Sequence, residues 1–133
     1  MVNSNAIEKI GNKYHLVLVY LFGSKATNTD NKLSDIDIAV LLEKNRRYEI
    51  KDLILELIYE FTRIFKSEKI DILILNKASL AIQYKVISER KLLFELDKKR
   101  KYNYEERTTK LYLDFKKFEE EYYDVMHKQI LGE

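Results

Sequence analysis

Residues 15–42 read HLVLVYLFGSKATNTDNKLSDIDIAVLL, and this stretch decides the fold. Residues 15–22 are apolar apart from the ends and rich in β-branched and aromatic side chains, which predicts a strand buried on both faces. The strand ends at Gly23-Ser24, a polar segment follows, and residues 35–42 predict a second strand. These two strands place a sheet at the centre of the molecule.

The chain on either side of this stretch predicts helices that flank the sheet. The predicted elements are a helix over 5–10 ended by Gly11, a helix over 48–66, a strand over 70–75, a helix over 79–88, a short edge strand over 91–96 and a long helix over 103–130. Asn103 and Glu106 are spaced like a capping pair for the long helix. The run Lys98–Lys101 is predicted to be a solvated connector. The expected fold class is α/β, more strictly α+β: a single domain over residues 1–133 with a mixed central sheet.

The composition excludes several classes of protein. The 133 residues include no cysteine, so disulfides, thiol catalysis and cysteine-ligated zinc are ruled out. With 24 basic and 22 acidic residues the net charge is +2, which argues against a dedicated nucleic-acid binder. No apolar run approaches the roughly 20 residues of a membrane helix. We therefore expect a cytoplasmic protein with no membrane partner.

Three aspartates lie at the ends of apolar strands. Asp35 and Asp37 are two residues apart, so their carboxylates project from one face of a strand, about 6–7 Å apart. Asp71 directly precedes another apolar run, ILIL, and we expect the strands that carry these acids to be neighbours. Like charges on an apolar strand repel and lose hydration unless cations balance them, and Mg²⁺ prefers such oxygen ligands. The alternatives are that Asp71 is only a turn residue and that the pair is solvated at an exposed edge.

The Gly23-Ser24 pair adds a candidate phosphate site. Glycine after a buried strand permits a positive φ and a close approach of backbone to a ligand. A serine that begins a helical turn offers N–H groups and a hydroxyl to phosphate oxygens. Alone, such a pair is more often an ordinary turn. Followed ten residues later by Asp35 and Asp37, it becomes a specific signal.

The motifs F-G-S at 22–24, S-D-I-D-I at 34–38 and I-D-I at 70–72 resemble the nucleotidyltransferase superfamily that includes DNA polymerase beta. The small size and the stretch SDIDIAVLLE resemble its MNT-type members, the antitoxins of HEPN/MNT toxin–antitoxin pairs. Many relatives have arginine or glycine just after the Gly-Ser pair. Here Lys25 replaces a cationic contact, and Asn28 is able to take the left-handed conformation of a glycine.

The resemblance implies a mechanism and a partner. Asp35, Asp37 and Asp71 would hold two Mg²⁺ ions, while Gly23, Ser24 and Lys25 bind the triphosphate of ATP. Asp71 would take or orient the proton of the attacking hydroxyl. AMP would pass to a tyrosine of a cognate HEPN toxin, with which the chain would form a hetero-oligomer.

The predicted C-terminal helix carries two apolar stripes. The first is expected to pack on the core, and its members are Leu111, Phe115, Phe118, Tyr122 and Val125. The second exceeds what a small domain needs to cover, so the helix is a candidate partner-binding element; its members are Tyr112, Tyr123, Met126 and Ile130. His127 is not part of any catalytic or metal-binding motif in the sequence and is expected to be solvated.

Two other functions stay open at this point. One is a nucleotidyltransferase that modifies small molecules such as aminoglycosides, although 133 residues leave little room for an acceptor pocket. The other is a non-catalytic antitoxin that only masks its toxin. The presence of all three aspartates counts against the second.

Overall fold

The computed structural model of the protein describes residues 4–27 and 35–132. Its elements in chain order are α1 (Ser4–Lys13), β1 (Leu16–Phe22), α2 (Ser24–Thr27), β2 (Ile36–Leu42), α3 (Ile50–Phe65), β3 (Ile70–Ile74), a 3₁₀ turn (Leu75–Lys77), α4 (Leu80–Glu89), β4 (Lys91–Glu95) and α5 (Lys98–Leu131). Asn28 and Ser34, both named in the sequence motifs, lie outside the described residues. That residues 1–133 form one domain stays a prediction.

The four strands form one mixed sheet in the order β3-β2-β1-β4. Strand β1 pairs antiparallel with β2 and with β4, whereas β2 and β3 are parallel. The predicted α+β class, the mixed sheet and the edge position of β4 are confirmed.

Helices cover both faces of this sheet. Helices α1 and α3 pack on one face through apolar side chains such as Ile7, Leu57 and Phe61. Val86 of α4 packs on the other face together with Tyr20 of β1. Side chains of β1 are buried in both layers, as its continuous apolar sequence predicts.

The prediction that Gly11 ends the first helix is wrong. Gly11 is buried inside α1, and a Cβ built there would lie 2.6 Å from ring atoms of Phe94 in β4. The glycine therefore lets the helix approach the edge strand closely. The helix ends at Lys13, and His15 then takes a left-handed conformation with φ 55°.

The long helix begins earlier than predicted. Asp97 caps α5, because its carboxylate accepts a hydrogen bond from the backbone N–H of Arg100 at 2.8 Å. Asn103 is therefore not the cap. The run Lys98–Lys101 forms the first turn of the helix and is not a connector, although Lys98, Lys99 and Arg100 are exposed.

Among the described residues, helix α5 packs on the rest of the molecule only near its start. Its buried residues are Glu105 and Thr108, and Tyr112 stacks on Tyr84 of α4 with ring centroids 4.3 Å apart. The following 19 residues extend the helix by about 28 Å. None of the helices in the described ranges is long and apolar enough to span a membrane.

The prediction that the first apolar stripe of this helix packs on the core is wrong. All five of its side chains are exposed, and they are Leu111, Phe115, Phe118, Tyr122 and Val125. The reason is the length of the helix. Its first turns already pack on the sheet and on α4, and the rest of the helix extends beyond them. Most of the second stripe is exposed as well, with Ile130 at 77%.

Candidate active site

Asp37 and Asp71 lie side by side on neighbouring strands. Each is the second residue of its strand, and the parallel register of β2 and β3 pairs them directly. Ile36 and Ile38 pack in the layer under α1 and α3, while Ala39 packs in the layer under α4. Because side chains alternate along a strand, the two carboxylates project toward α4. The prediction that these acids come from neighbouring strands is confirmed.

Asp35 precedes the first residue of β2 and is exposed. Its charge acts on Asp37, so the three predicted acids share one electrostatic environment. Burial raises the pKa of Asp37 above its ordinary value, and the negative charges of Asp71 and Asp35 raise it further. Carboxylates that repel each other in this way favour the binding of a cation.

The Gly23-Ser24 turn lies at the same end of the sheet. Phe22, the last residue of β1, pairs with Asp37, and Gly23 follows it with φ 74°. A Cβ built on Gly23 would collide with Oδ2 of Asp37, so both the conformation and the space require glycine here. Ser24 begins the short helix α2, as predicted, and Lys25 lies within it.

Helix α4 adds two charged residues that the sequence did not indicate. Lys85 lowers the pKa of Asp37 and Glu89 raises it, so both charges act on this carboxylate. Glu89 also accepts a hydrogen bond from the backbone N–H of Gly23 at 3.1 Å. The two residues are four apart, which places them on one side of the helix. That spacing is visible in the sequence, but only the crossing of α4 over the sheet brings them to the aspartates.

We call the end of the sheet that carries Asp35, Asp37 and Asp71 the acidic edge. Its carboxylate oxygens are ligands that a hard divalent cation prefers, although they do not surround a cation completely. Within residues 4–27 and 35–132, no three His, Cys, Asp or Glu side chains are arranged so that they could hold a metal ion. Mg²⁺ is usually held by one or two carboxylates, with waters and substrate phosphates as its remaining ligands. The paired carboxylates of Asp37 and Asp71 match this requirement, and Asp35 is exposed directly before β2.

The arrangement is suited to a phosphorylated substrate. A glycine turn with backbone N–H donors stands beside carboxylates that attract cations, and cation-bound phosphates are stabilised by both. The exposed side of Asp71 leaves access for a second reactant. Transfer chemistry at phosphorus is therefore compatible with this edge.

Comparisons with known proteins agree with this geometry. A family model described as "Polymerase beta, Nucleotidyltransferase" matches residues 5–99. Among solved structures, a chain from a toxin–antitoxin with AMP-PNP is 27% identical, with a TM-score of 0.72 over 94% of this chain and 98% of that chain. No curated protein matches the chain.

Two further solved structures are similar. A chain from the tri-AMPylated Shewanella oneidensis HEPN toxin in complex with MNT antitoxin is 25% identical, with a TM-score of 0.65 over 92% of this chain and 94% of that chain. A chain from the toxin–antitoxin MntA–HepT is also 25% identical, with a TM-score of 0.64 over 92% of this chain and 95% of that chain. The family model covers the glycine turn, the acidic edge and α4.

Proposed function

Because the chain belongs to the polymerase beta nucleotidyltransferase family, we propose that it transfers AMP from ATP to a tyrosine hydroxyl of a HEPN toxin and so neutralises the toxin. The predicted resemblance to MNT-type antitoxins is confirmed. The observation that carries the proposal is the register that sets Asp37 beside Asp71, next to Gly23. Since the reaction uses ATP, we place it in the cytoplasm.

Each side chain at the edge has a proposed role. Backbone N–H groups at Gly23 and Ser24 bind phosphate oxygens of ATP, and the ammonium group of Lys25 adds positive charge. Asp35, Asp37 and Asp71 are the proposed ligands of two Mg²⁺ ions. When bound, Mg²⁺ supplies positive charge that stabilises the attacking and leaving oxygens.

The bond changes follow from an in-line displacement. The acceptor hydroxyl oxygen forms a bond to the α-phosphorus, and the bond from that phosphorus to the pyrophosphate oxygen breaks. Asp71 accepts or orients the hydroxyl proton, which its exposed position at the edge allows. The products are an AMP ester of the acceptor and pyrophosphate.

The exposed part of α5 is the proposed docking element for the toxin. The family model ends at residue 99, but the structural likeness covers 94% of this chain and so includes most of α5. Its exposed aromatic residues include Phe118 at 66% and Tyr123 at 61%. Aromatic side chains are enriched in protein interfaces, and contiguous exposed apolar surface of this kind marks interaction sites.

A transfer assay tests the proposal. The purified chain is incubated with labelled ATP, Mg²⁺ and a candidate HEPN toxin, and label on the toxin is measured. Asp37→Asn removes a charge without changing shape, and we expect transfer to fall by about 10³-fold or more. Asp52→Asn on α3 is the matched control, because Asp52 is an exposed carboxylate elsewhere in the fold.

Two outcomes would contradict parts of the proposal. If Asp37→Asn labels the toxin at the wild-type rate, the proposed metal ligands are wrong. If the wild-type chain suppresses the toxin without labelling it, the chain acts by masking. Aminoglycosides offered in place of the toxin test the small-molecule alternative in the same assay.

A further inference from the structure

Glu89 accepts a hydrogen bond from a backbone N–H that is proposed to bind the nucleotide. It is the last residue of α4, and its Oε1 accepts the backbone N–H of Gly23 at 3.1 Å in a partly buried contact. Backbone N–H groups in such turns are the donors that hold phosphate oxygens. A side-chain carboxylate therefore lies where an anionic group of the nucleotide is expected.

Glu89 also adds negative charge to an edge that is already acidic. Its charge acts on Asp37, as do the charges of Asp35 and Asp71. A triphosphate entering this space meets repulsion from Glu89 in addition to the occupied Gly23 donor. Both effects have the same sign: each opposes nucleotide binding while Glu89 stays in place.

We propose that Glu89 is a built-in competitor of the nucleotide, which holds the Gly23 N–H in the nucleotide-free chain and is displaced when the triphosphate binds. This inference rests on the proposed function, since it concerns the triphosphate that the turn is proposed to bind. Glu89 thereby sets the affinity for ATP below what the turn alone would give.

The displacement needs only a side-chain movement. The backbone at the end of α4 is held, because Nη1 of Arg90 donates to the carbonyl of Ile87 at 2.7 Å and Nε of Arg90 pairs with Glu105 at 3.0 Å. Lys85 lies one turn before Glu89 on the same side of α4, and we expect its ammonium group to attract the displaced carboxylate. The helix itself therefore stays in position.

Nucleotide affinity tests the inference. Glu89→Gln removes the charge but keeps an oxygen that accepts the Gly23 N–H, so the turn is preserved. We expect this variant to bind Mg–ATP about 5- to 30-fold more tightly in calorimetry, because one like charge beside the triphosphate is gone. Glu89→Ala, which also frees the donor, is expected to bind at least as tightly as Glu89→Gln. Glu56→Gln, at an exposed glutamate on α3, should bind like the wild type.

NMR tests the hydrogen bond between Glu89 and the Gly23 N–H directly, without enzymatic turnover. In NMR spectra of the nucleotide-free chain, Glu89→Ala should shift the Gly23 amide resonance, and adding Mg–ATP to the wild type should shift it too. An unmoved Gly23 resonance in Glu89→Ala overturns the inference. Unchanged or weaker Mg–ATP binding by Glu89→Gln also overturns it, and weaker binding would mean that Glu89 serves as a ligand.

These results are distinguishable from failure of the proposed function. If Glu89→Gln binds Mg–ATP more tightly but no label reaches any acceptor, the competitor role stands and the transferase proposal falls. If label is transferred but Glu89→Gln gains no affinity, the transferase proposal stands and the competitor role falls. If neither the wild type nor Glu89→Gln binds Mg–ATP, both are overturned.

Discussion

The acidic edge of the sheet and the distal part of α5 differ in what each lacks. At the edge, strand register holds Asp37 and Asp71 together, and the charges of Asp71, Asp35 and Glu89 raise the pKa of Asp37 while Lys85 lowers it. Along α5 beyond Tyr112, apolar side chains that would be buried in a globular core are exposed. One region needs positive charge, and the other needs an apolar surface.

This difference indicates two separate kinds of partner. Electrostatic repulsion is relieved by a small cation and a substrate that brings one, whereas apolar exposure is relieved by another protein. Among the described residues, apolar side chains are buried on both faces of the sheet, and most of the exposed large apolar side chains lie on α5. Substitutions in the two regions should therefore change different measurements.

The largest effect on binding is expected at α5. Phe118→Glu places a charge within the exposed apolar surface, and we expect binding of the HEPN toxin to weaken by at least about 100-fold, because a buried unpaired charge is costly at an interface. Titration of the toxin by calorimetry measures this. The melting temperature and Mg–ATP affinity of the free chain should not change, since Phe118 is 66% exposed.

Lys117→Gln is the matched control for this substitution. It lowers the net charge by one, as Phe118→Glu does, but at about 100° per residue it lies on the side of the helix away from the apolar stripes. Its toxin affinity should stay near the wild-type value. Equal weakening by both variants would mean that charge, and not the apolar surface, governs docking.

A smaller effect, on the free energy of unfolding, is expected where the start of α5 packs on β1 and α4. Glu105 is buried, accepts the hydroxyl of Tyr20 at 2.6 Å and pairs with Arg90 at 3.0 Å. Burial, followed by the hydrogen bond to Glu105, raises the pKa of Tyr20, so the tyrosine stays neutral and donates. Glu105→Ala removes the acceptor of the buried Tyr20 hydroxyl and the ion-pair partner of Arg90, and we expect a loss of about 2–4 kcal/mol in the free energy of unfolding.

Urea denaturation measures this loss, and Glu106→Ala provides the control because Glu106 is the exposed neighbour on the same helix. The control should change the free energy of unfolding by less than about 0.5 kcal/mol. If Glu105→Ala is as stable as Glu106→Ala, the network does not anchor α5.

The fold and the acidic site were largely accessible from sequence because both depend on local patterns. The apolar run of β1 and the alternation around Asp35 and Asp37 predicted the strands, the face of the carboxylates and the proximity of Asp71. What the sequence did not indicate depends on how distant elements cross. Gly11 ends no helix because Phe94 packs against it, and Glu89 reaches Gly23 only because α4 lies over the sheet.

The wrong prediction that the first apolar stripe of α5 packs on the core also has a cause that lies outside local sequence. A 3–4 spacing of apolar residues predicts one buried side of a helix, but it does not say whether the covering layer belongs to the same chain. The stripe from Leu111 to Val125 has the pattern of a core helix and is nevertheless exposed. Length was the available signal, because even the helix predicted over 103–130 is longer than a four-stranded sheet can cover.

The smallest effect concerns the stability of the acidic edge. Because the pKa of Asp37 is raised in the folded chain, first by burial and then by Asp71 and Asp35, its ionisation disfavours the folded state. Stability therefore falls as the pH rises from the ordinary value of 3.8 through the raised folded value, and the full cost is present at neutral pH. Asp37→Asn removes this cost, so we expect its melting temperature at pH 7 in chelator to exceed that of the wild type by roughly 1–4 °C.

Two conditions connect this gain to repulsion between the carboxylates. It should disappear at pH 3, where Asp37 is protonated in both the folded and the unfolded chain, and Asp52→Asn should show no gain at either pH. Adding Mg²⁺ should raise the melting temperature of the wild type by more than that of Asp37→Asn, because the variant keeps only two of the three carboxylates that the cation relieves. A lower melting temperature for Asp37→Asn at pH 7 would mean that the carboxylate stabilises the fold, and the edge would then need no cation to balance it.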